Sequence, residues 1–386
     1  MSKPRAGTGQ LAHIRLKNWK NFASVDVALA RRAFLLGPNA SGKSNFLDAI
    51  RFLRDLVTMG GGFQEAVRRR GGVSAIRCLA ARRDPDVQIA ATVLFAEETR
   101  WEYELVFNQD NRRVPRIKKE RITREGQVLL ERPNREDQSD GERLTQTYLE
   151  QVNVNRQFRE IGQLFASVRY LHVVPQLVRE PDRSIGRSLD PFGGDFLEQI
   201  AKTHDKTRTA RLRRIRDALR VAVPQLEEVE LWRDQRGTPH LRGKYRHWRP
   251  QGAWQDESQF SDGTLRLMGL LWATMDGTGP LLLEEPELSL HPEILRYLPQ
   301  MFARLVHRTG RQILVSTHST ELLRDDGIGL DEVLLLSPGI EGTSVSRASA
   351  HNEIHTLVEG GLSVSEAVIP RTRPTDAEQL LRFGDR

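Results

Sequence analysis

Apolar and polar positions change period several times along the chain, and each change marks an element. Leu11-Ala-His-Ile-Arg-Leu-Lys and Val25-Asp-Val-Ala-Leu alternate, with a turn near Lys20-Asn21, so residues 11–36 read as two or three strands ending in the apolar run Ala33 to Leu36. Phe46, Leu47, Ile50, Leu53 and Val57 then recur at three- and four-residue intervals and predict a helix. Glycines at 60–62 and 71–72 break the chain around Arg68-Arg69-Arg70. Alternation returns from Val87 to Phe95 and from Trp101 to Phe107, the pattern of a hairpin, and continues through Ile122 and Val128-Leu-Leu. This first stretch predicts an α+β unit.

Residues 131–160 are polar and predict a surface loop leading into a helix, after which Val168-Arg-Tyr-Leu-His-Val-Val predicts a buried strand ending at Pro175-Gln176. From Asp195 to Val223 the pattern is helical and basic. Leu212, Ile215, Leu219 and Ala222 share one face, and Arg208, Arg211, Arg213, Arg214, Arg216 and Arg220 crowd the others. Strands follow at Val229-Glu-Leu-Trp and from His240 to Trp248. A helix is predicted from Leu265 to Met275, a buried strand at Leu281-Leu282-Leu283 and a helix spanning Ile294 to Val306. Strands at Gln312–Ser316 and Val333–Leu336 follow. Strands alternating with helices imply a parallel sheet covered on both faces. There is no internal repeat, and no heptad pattern persists long enough for a coiled-coil arm.

Composition narrows the class. A chain of 386 residues with 38% hydrophobic and 28% charged positions is expected to be globular, with two or three domain-sized units. No apolar stretch approaches the roughly 18 residues needed to span a bilayer, and Met1-Ser2-Lys3-Pro4-Arg5 leads into polar sequence, so a cytoplasmic protein without a membrane role is expected. The single cysteine, Cys78, rules out an intrachain disulfide and a cysteine-based zinc cluster, and reads as a small buried side chain. The net charge of +7 permits an anionic partner without demanding one.

The chemistry gathers at Gly37-Pro38-Asn39-Ala40-Ser41-Gly42-Lys43-Ser44, followed by Asn45, which satisfies G-x-x-x-x-G-K-[ST] between a strand and a helix. The glycines let successive N–H groups turn inward, and the helix start adds its unpaired N–H groups and dipole, which together make a cradle for phosphate. Lys43 adds a point charge for the β- and γ-phosphates of a bound triphosphate, and the Ser44 hydroxyl is placed to coordinate Mg²⁺.

Three further positions fit the same site. Leu281–Leu283 runs into Glu284 and Glu285, and carboxylates at the C-terminal end of a buried strand need a cation. Glu284 would hold the metal, directly or through water, and Glu285 would orient the attacking water. Ser261-Asp262-Gly263-Thr264, upstream of Glu284 and immediately before the Leu265 helix, reads as an anion site or as a plain helix cap. His318 ends the Gln312 strand, where an imidazole either contacts the γ-phosphate or is merely satisfied at a strand end.

In this order the pieces resemble the ATP-binding-cassette ATPases, and more narrowly the RecF/SMC/OLD-like "AAA family ATPase" group, over residues 11–59 and 258–320. The resemblance implies an α/β P-loop NTPase with an ABC-type head. It divides the chain into a first ATPase lobe at 1–180, a basic helical and β insertion at 181–257 and a second lobe at 258–386. By the same resemblance Gly37–Ser44 is Walker A, Ser261–Thr264 the signature, Leu281–Glu285 Walker B, Glu287–His291 the D-loop, His318 the switch histidine and Gln176 the Q-loop glutamine. Asn18-Trp19-Lys20-Asn21-Phe22 is similar to the Asn-Phe-x-x-Phe stretch that opens RecF-like chains. Two positions depart from the family pattern. Glu284 replaces the usual Walker B aspartate, and Asp262 puts a charge where the signature usually has glycine.

The resemblance further implies a homodimer, in which each signature caps the nucleotide of the other subunit and ATP binding closes the pair. Two settings follow. In one the ATPase acts on DNA in repair, maintenance or anti-phage defence, with the basic helix and Arg68–Arg70 on phosphates; the same arginines also read as a solvated face. In the other it is a nucleotide-switched scaffold for a separately encoded effector such as a nuclease, because the 68 residues after His318 are too few for the nuclease domain fused in some relatives. A transporter's ATPase subunit fits less well, because the strand-rich first lobe and basic insert resemble the RecF group.

Overall fold

The computed structural model describes residues 9–95, 98–184, 190–248, 253–373 and 377–383. Among these described residues fifteen strands form three sheets. The first is antiparallel, in the order β2-β1-β4-β5-β6-β7, built from β1 (Gln10–Trp19), β2 (Phe22–Ala28), β4 (Val87–Leu94), β5 (Arg100–Gln109), β6 (Pro115–Arg124) and β7 (Gln127–Arg132). The second places β3 (Arg32–Leu36), β8 (Arg169–Leu171), β12 (Leu281–Glu284), β13 (Ile313–Ser316), β14 (Val333–Gly339) and β15 (Gly342–Arg347) in the order β15-β14-β3-β13-β12-β8. All its pairings are parallel except β14 with β15. The third is a small antiparallel sheet of β9 (Leu226–Arg233), β10 (Pro239–Tyr245) and β11 (Ala253–Asp256).

Strand periodicity explains the layering. In the parallel sheet successive side chains leave opposite faces. Phe34, Leu36, Leu281, Leu283, Ile313, Val315, Val333 and Leu335 enter one core with the helices Phe196–Lys202, Asp205–Leu219, Asp262–Met275 and Leu298–Thr309. Ala33, Leu35, Leu282, Leu314, Leu334 and Leu336 enter the other, shared with the antiparallel sheet and the helix Lys43–Val57. That helix is thus buried between two sheets, and its Phe46, Leu47, Ile50 and Leu53 are fully buried.

Most expected elements form, and the exceptions have local causes. The strand expected over 168–174 pairs only at Arg169–Leu171, because it lies at the sheet edge and has β12 alone as neighbour. The basic stretch divides at Thr203-His204 into two helices, and Ala222 lies exposed beyond the end of the second instead of on its buried face. The helix expected across 294–306 is two, Pro292–Leu295 and Leu298–Thr309. Arg70 is no surface cation. It is clamped by Asp48 at 2.8 Å and Asp55 at 3.1 Å, and both Arg68 and Arg69 pair with Glu65. Cys78 is buried, as expected. The longest described helices have 15 residues, far short of a coiled-coil arm, and among the described residues no helix is long and apolar enough to cross a membrane.

Candidate functional site

Register assembles the site. β13 lies between β3 and β12, with Ser316 opposite Leu35 on one side and Glu284 on the other. The strand ends leading into Gly37, Glu285 and His318 therefore emerge side by side at the C-terminal edge of the parallel sheet, the edge where open α/β sheets bind ligands.

The loop after β3 is shaped for close approach of an anion. Ala40 and Gly42 both take left-handed backbone, with φ of 60° and 94°. A Cβ on Gly42 would stand 2.2 Å from Asn21 Nδ2, and one on Gly37 would stand 2.5 Å from Ser41 Oγ and 2.6 Å from the Leu336 carbonyl. Asn21 braces the loop from the β1–β2 turn. Its Nδ2 donates to the Ser41 carbonyl at 2.9 Å and to Thr343 Oγ1 at 2.8 Å, while its Oδ1 accepts from Asn45 Nδ2 at 2.8 Å. Lys43 Nζ is folded back on the loop, donating to the carbonyls of Gly37 at 2.9 Å and Pro38 at 3.1 Å. Burial holds the Lys43 ammonium below its usual pKa, and the carboxylates of Glu285, Glu284 and Glu287 oppose that. The Ser41 hydroxyl is buried with no partner, a polar atom left for a ligand.

Across from the loop, Ser44 Oγ donates to Glu284 Oε1, and Tyr170 Oη of β8 donates to Glu284 Oε2. His172 Nδ1 lies 3.1 Å from the Glu284 carbonyl. Glu285 takes the left-handed backbone with φ of 45°, a conformation that costs a non-glycine residue about 1–3 kcal/mol and is found mostly at functional sites. Its Oε1 lies 3.3 Å from His318 Nε2. Burial, then the nearby Lys43 charge, lowers the His318 pKa, against the pull of Glu285. Glu287 anchors the end of β13, accepting from Thr317 Oγ1 at 2.6 Å and from the His318 N–H at 2.9 Å, and burial raises its pKa.

Lys43, Ser44, Glu284, Glu285 and His318 are thus brought together. Ser261 and Gly263 are not joined to them by any hydrogen bond or ion pair among the described residues. Ser261 caps its helix, accepting from the Thr264 N–H at 3.2 Å, and Gly263 packs so tightly on the segment after β12 that a Cβ would meet the Ser289 carbonyl at 2.5 Å. The charge at Asp262 is balanced by Arg179 at 2.6 Å. Gln176 sits exposed in the short helix Pro175–Val178, and His172, ahead of that helix, reaches Glu284 instead. Sequence reasoning missed Tyr170 and His172; their polar atoms in an otherwise apolar strand were the available signal.

The donor set fits a magnesium-bound triphosphate. One hydroxyl and one carboxylate are hard oxygen ligands, few in number, which suits a cation that keeps several waters and takes the rest of its shell from phosphate. No cluster of three or more His, Cys, Asp or Glu side chains able to hold a metal occurs among the described residues, so no all-protein cage competes with this arrangement.

Comparison with known proteins agrees with this architecture. No curated protein matches the sequence. The SMC head bound to the C-terminal winged-helix domain of ScpA is 13% identical, with a TM-score of 0.54 over 87% of this chain and 96% of that one. The Smc head with an extended coiled coil, bound to the C-terminal domain of ScpA and derived from Pyrococcus furiosus, is 11% identical, with a TM-score of 0.51 over 91% and 100%. At such identities the likeness concerns the fold. Residues 32–324 match the family described as "AAA domain, putative AbiEii toxin, Type IV TA system". That match spans well over half of the sequence, and the chain, whose fold is similar to that of SMC heads and which has no long coiled coil among the described residues, belongs to this AAA-domain family.

Proposed function

We propose that the protein binds Mg²⁺·ATP and hydrolyses it as a nucleotide-gated homodimer. The observation that carries this reading is the contact between Ser44 and Glu284, with Glu285, His318 and Lys43 around it. Lys43, released from the Gly37 and Pro38 carbonyls, meets the β- and γ-phosphates, and backbone N–H groups of the loop and of the helix start wrap them. Magnesium, held by Ser44 and Glu284, would neutralise charge on the phosphate oxygens. Glu285 accepts a hydrogen bond from the attacking water, and neutral His318 donates to the γ-phosphate. Ser261 and Gly263 support a composite site, because among the described residues no hydrogen bond or ion pair joins them to their own phosphate loop. The three-part division at 1–180, 181–257 and 258–386 remains our proposal for the domain organisation.

For the setting we propose DNA repair, DNA maintenance or anti-phage defence. A second reading, a nucleotide-switched scaffold for a separately encoded effector, is favoured by the arginines. Arg70, Arg208, Arg211 and Arg216 are each paired with a carboxylate, which leaves Arg213, Arg214 and Arg220 as the phosphate-contacting candidates on the basic helix. Binding to DNA that weakens steeply with salt supports the first setting, and no binding at low salt supports the second.

The test of the ATPase itself is a pair of variants. Glu285→Gln is expected to bind ATP without turnover and to run as an ATP-dependent dimer by light scattering, while Lys43→Ala loses hydrolysis. A monomeric Glu285→Gln protein in saturating Mg²⁺·ATP would remove the dimer, and full turnover by Lys43→Ala would remove the site.

A further inference from the structure

Glu284 stands one methylene further from its backbone than the aspartate its family pattern leads one to expect, and a longer arm needs an additional hold. The structure supplies one from a strand that the phosphate-loop pattern does not include. Both oxygens of the Glu284 carboxylate are engaged, Oε1 by the Ser44 hydroxyl and Oε2 by the Tyr170 hydroxyl. His172, the first residue past the end of β8, meets the Glu284 carbonyl at 3.1 Å.

The phenol is itself fixed. The Arg51 guanidinium lies over the Tyr170 ring, 4.4 Å from its centroid. Arg51 also lies 3.8 Å from Asp48, which is held by Arg70 at 2.8 Å. Ser44, Asp48 and Arg51 follow one another at four- and three-residue spacing, so they occupy one face of the helix Lys43–Val57. That face touches the Glu284 carboxylate twice, once directly through Ser44 and once through Arg51 and Tyr170.

We propose that Tyr170 is a positioning residue for Glu284, holding its carboxylate in the orientation that receives a divalent cation beside Ser44. This rests on the reading of Ser44 and Glu284 as the metal-binding pair. The phenol donates one hydrogen bond to Oε2 and leaves Oε1 turned toward Ser44, so that less side-chain freedom is lost when the cation arrives. Arg51 acts one step further out, by keeping the ring in place.

Tyr170→Phe removes the hydroxyl and keeps the ring under Arg51. The test is Mn²⁺ binding, read by loss of the free-ion electron paramagnetic resonance signal, to full-length protein saturated with a non-hydrolysable ATP analogue. Affinity for a fluorescent ATP analogue in EDTA is measured alongside. We expect Tyr170→Phe to weaken Mn²⁺ binding about 10-fold or more, the usual scale for a group that orients a metal ligand, and to leave metal-free nucleotide affinity and the melting temperature unchanged. In a Glu284→Asp background, whose shorter arm falls away from the phenol, Tyr170→Phe is expected to change Mn²⁺ affinity less than about 2-fold.

Glu284→Gln separates this inference from the reading beneath it. Mn²⁺ binding that is lost in Glu284→Gln and unchanged in Tyr170→Phe overturns the role of Tyr170 and leaves the site intact. Binding unaffected by Glu284→Gln overturns both. Equal losses from Tyr170→Phe in the wild-type and Glu284→Asp backgrounds also overturn the positioning role.

Discussion

Glu285 Oε1 and His318 Nε2 lie 3.3 Å apart, although 32 residues, with two helices and β13 among them, separate them in the chain. The parallel pairing of β12 with β13 makes this possible, because both strands end at the same level and their next residues leave the sheet together. Glu285 reaches the position only by adopting left-handed backbone, and its N–H is held by the Ser316 carbonyl at 2.9 Å. A carboxylate and an imidazole held this way, beside a lysine on a phosphate-shaped loop, are arranged for a water and a terminal phosphate.

The His318 imidazole gives a prediction with a definite sign. Its pKa is lowered in the folded protein from the ordinary value of 6.5, so between that value and the lower folded one the unfolded chain binds more protons. His318 is therefore neutral at pH 7, and its contribution to stability is lost as pH falls below about 6.5. Nuclear magnetic resonance titration should place the His318 transition below 6.5, and a His318→Gln variant should lose less melting temperature than wild type between pH 7 and pH 5. A transition at or above 6.5 would show that burial and Lys43 do not dominate its surroundings.

Gly42→Ala tests the shape of the loop. The substitution puts a Cβ 2.2 Å from Asn21 Nδ2 at a φ of 94°, and it is expected to cost about 1–3 kcal/mol in chemical denaturation and to weaken ATP binding at least tenfold. Adding Asn21→Ala opens the space but leaves the backbone strain, so the double variant should recover part of the stability and little of the binding. Full recovery of both would mean that Asn21 merely fills space.

Arg132 predicts stability away from the nucleotide. It is buried with Glu120 at 3.0 Å and Asp137 at 2.8 Å, and its guanidinium lies 3.9 Å from the Tyr148 ring centroid. Arg132→Met strands two buried carboxylates and should cost about 3–5 kcal/mol by denaturant unfolding, whereas apolar replacement of all three charged residues should restore much of that. A loss below about 1 kcal/mol for the single variant would show that water reaches this cluster.

How far the sequence could be read depended on whether a feature is local. The phosphate loop is contiguous, and each of its residues acts within a few positions of its neighbours, so its pattern alone identified it. Strands of the parallel sheet were legible because Leu281–Leu283 and Ile313–Val315 are buried on both faces and read as unbroken apolar runs. Tyr170 was not legible, since its partner stands 114 residues away and only the β8–β12 pairing joins them. Glu287 was assigned to the D-loop, and nothing in its neighbours showed that it would secure Thr317 and His318. Arg70 was grouped with two surface arginines because a charge run does not reveal which member turns inward to Asp48 and Asp55. β11 and β15 went unread because short, partly exposed strands carry too little alternation to stand out from a loop.

Lys43, Ser44, Glu284, Glu285 and His318 are expected to surround one magnesium-bound triphosphate. The most direct measurement is a crystal structure of Glu285→Gln with Mg²⁺ and ATP. We expect a metal at about 2.0–2.1 Å from Ser44 Oγ, Glu284 bound to it directly or through water, and the γ-phosphate between Lys43 Nζ and His318. A nucleotide seated elsewhere, or a metal that touches neither Ser44 nor Glu284, would contradict it.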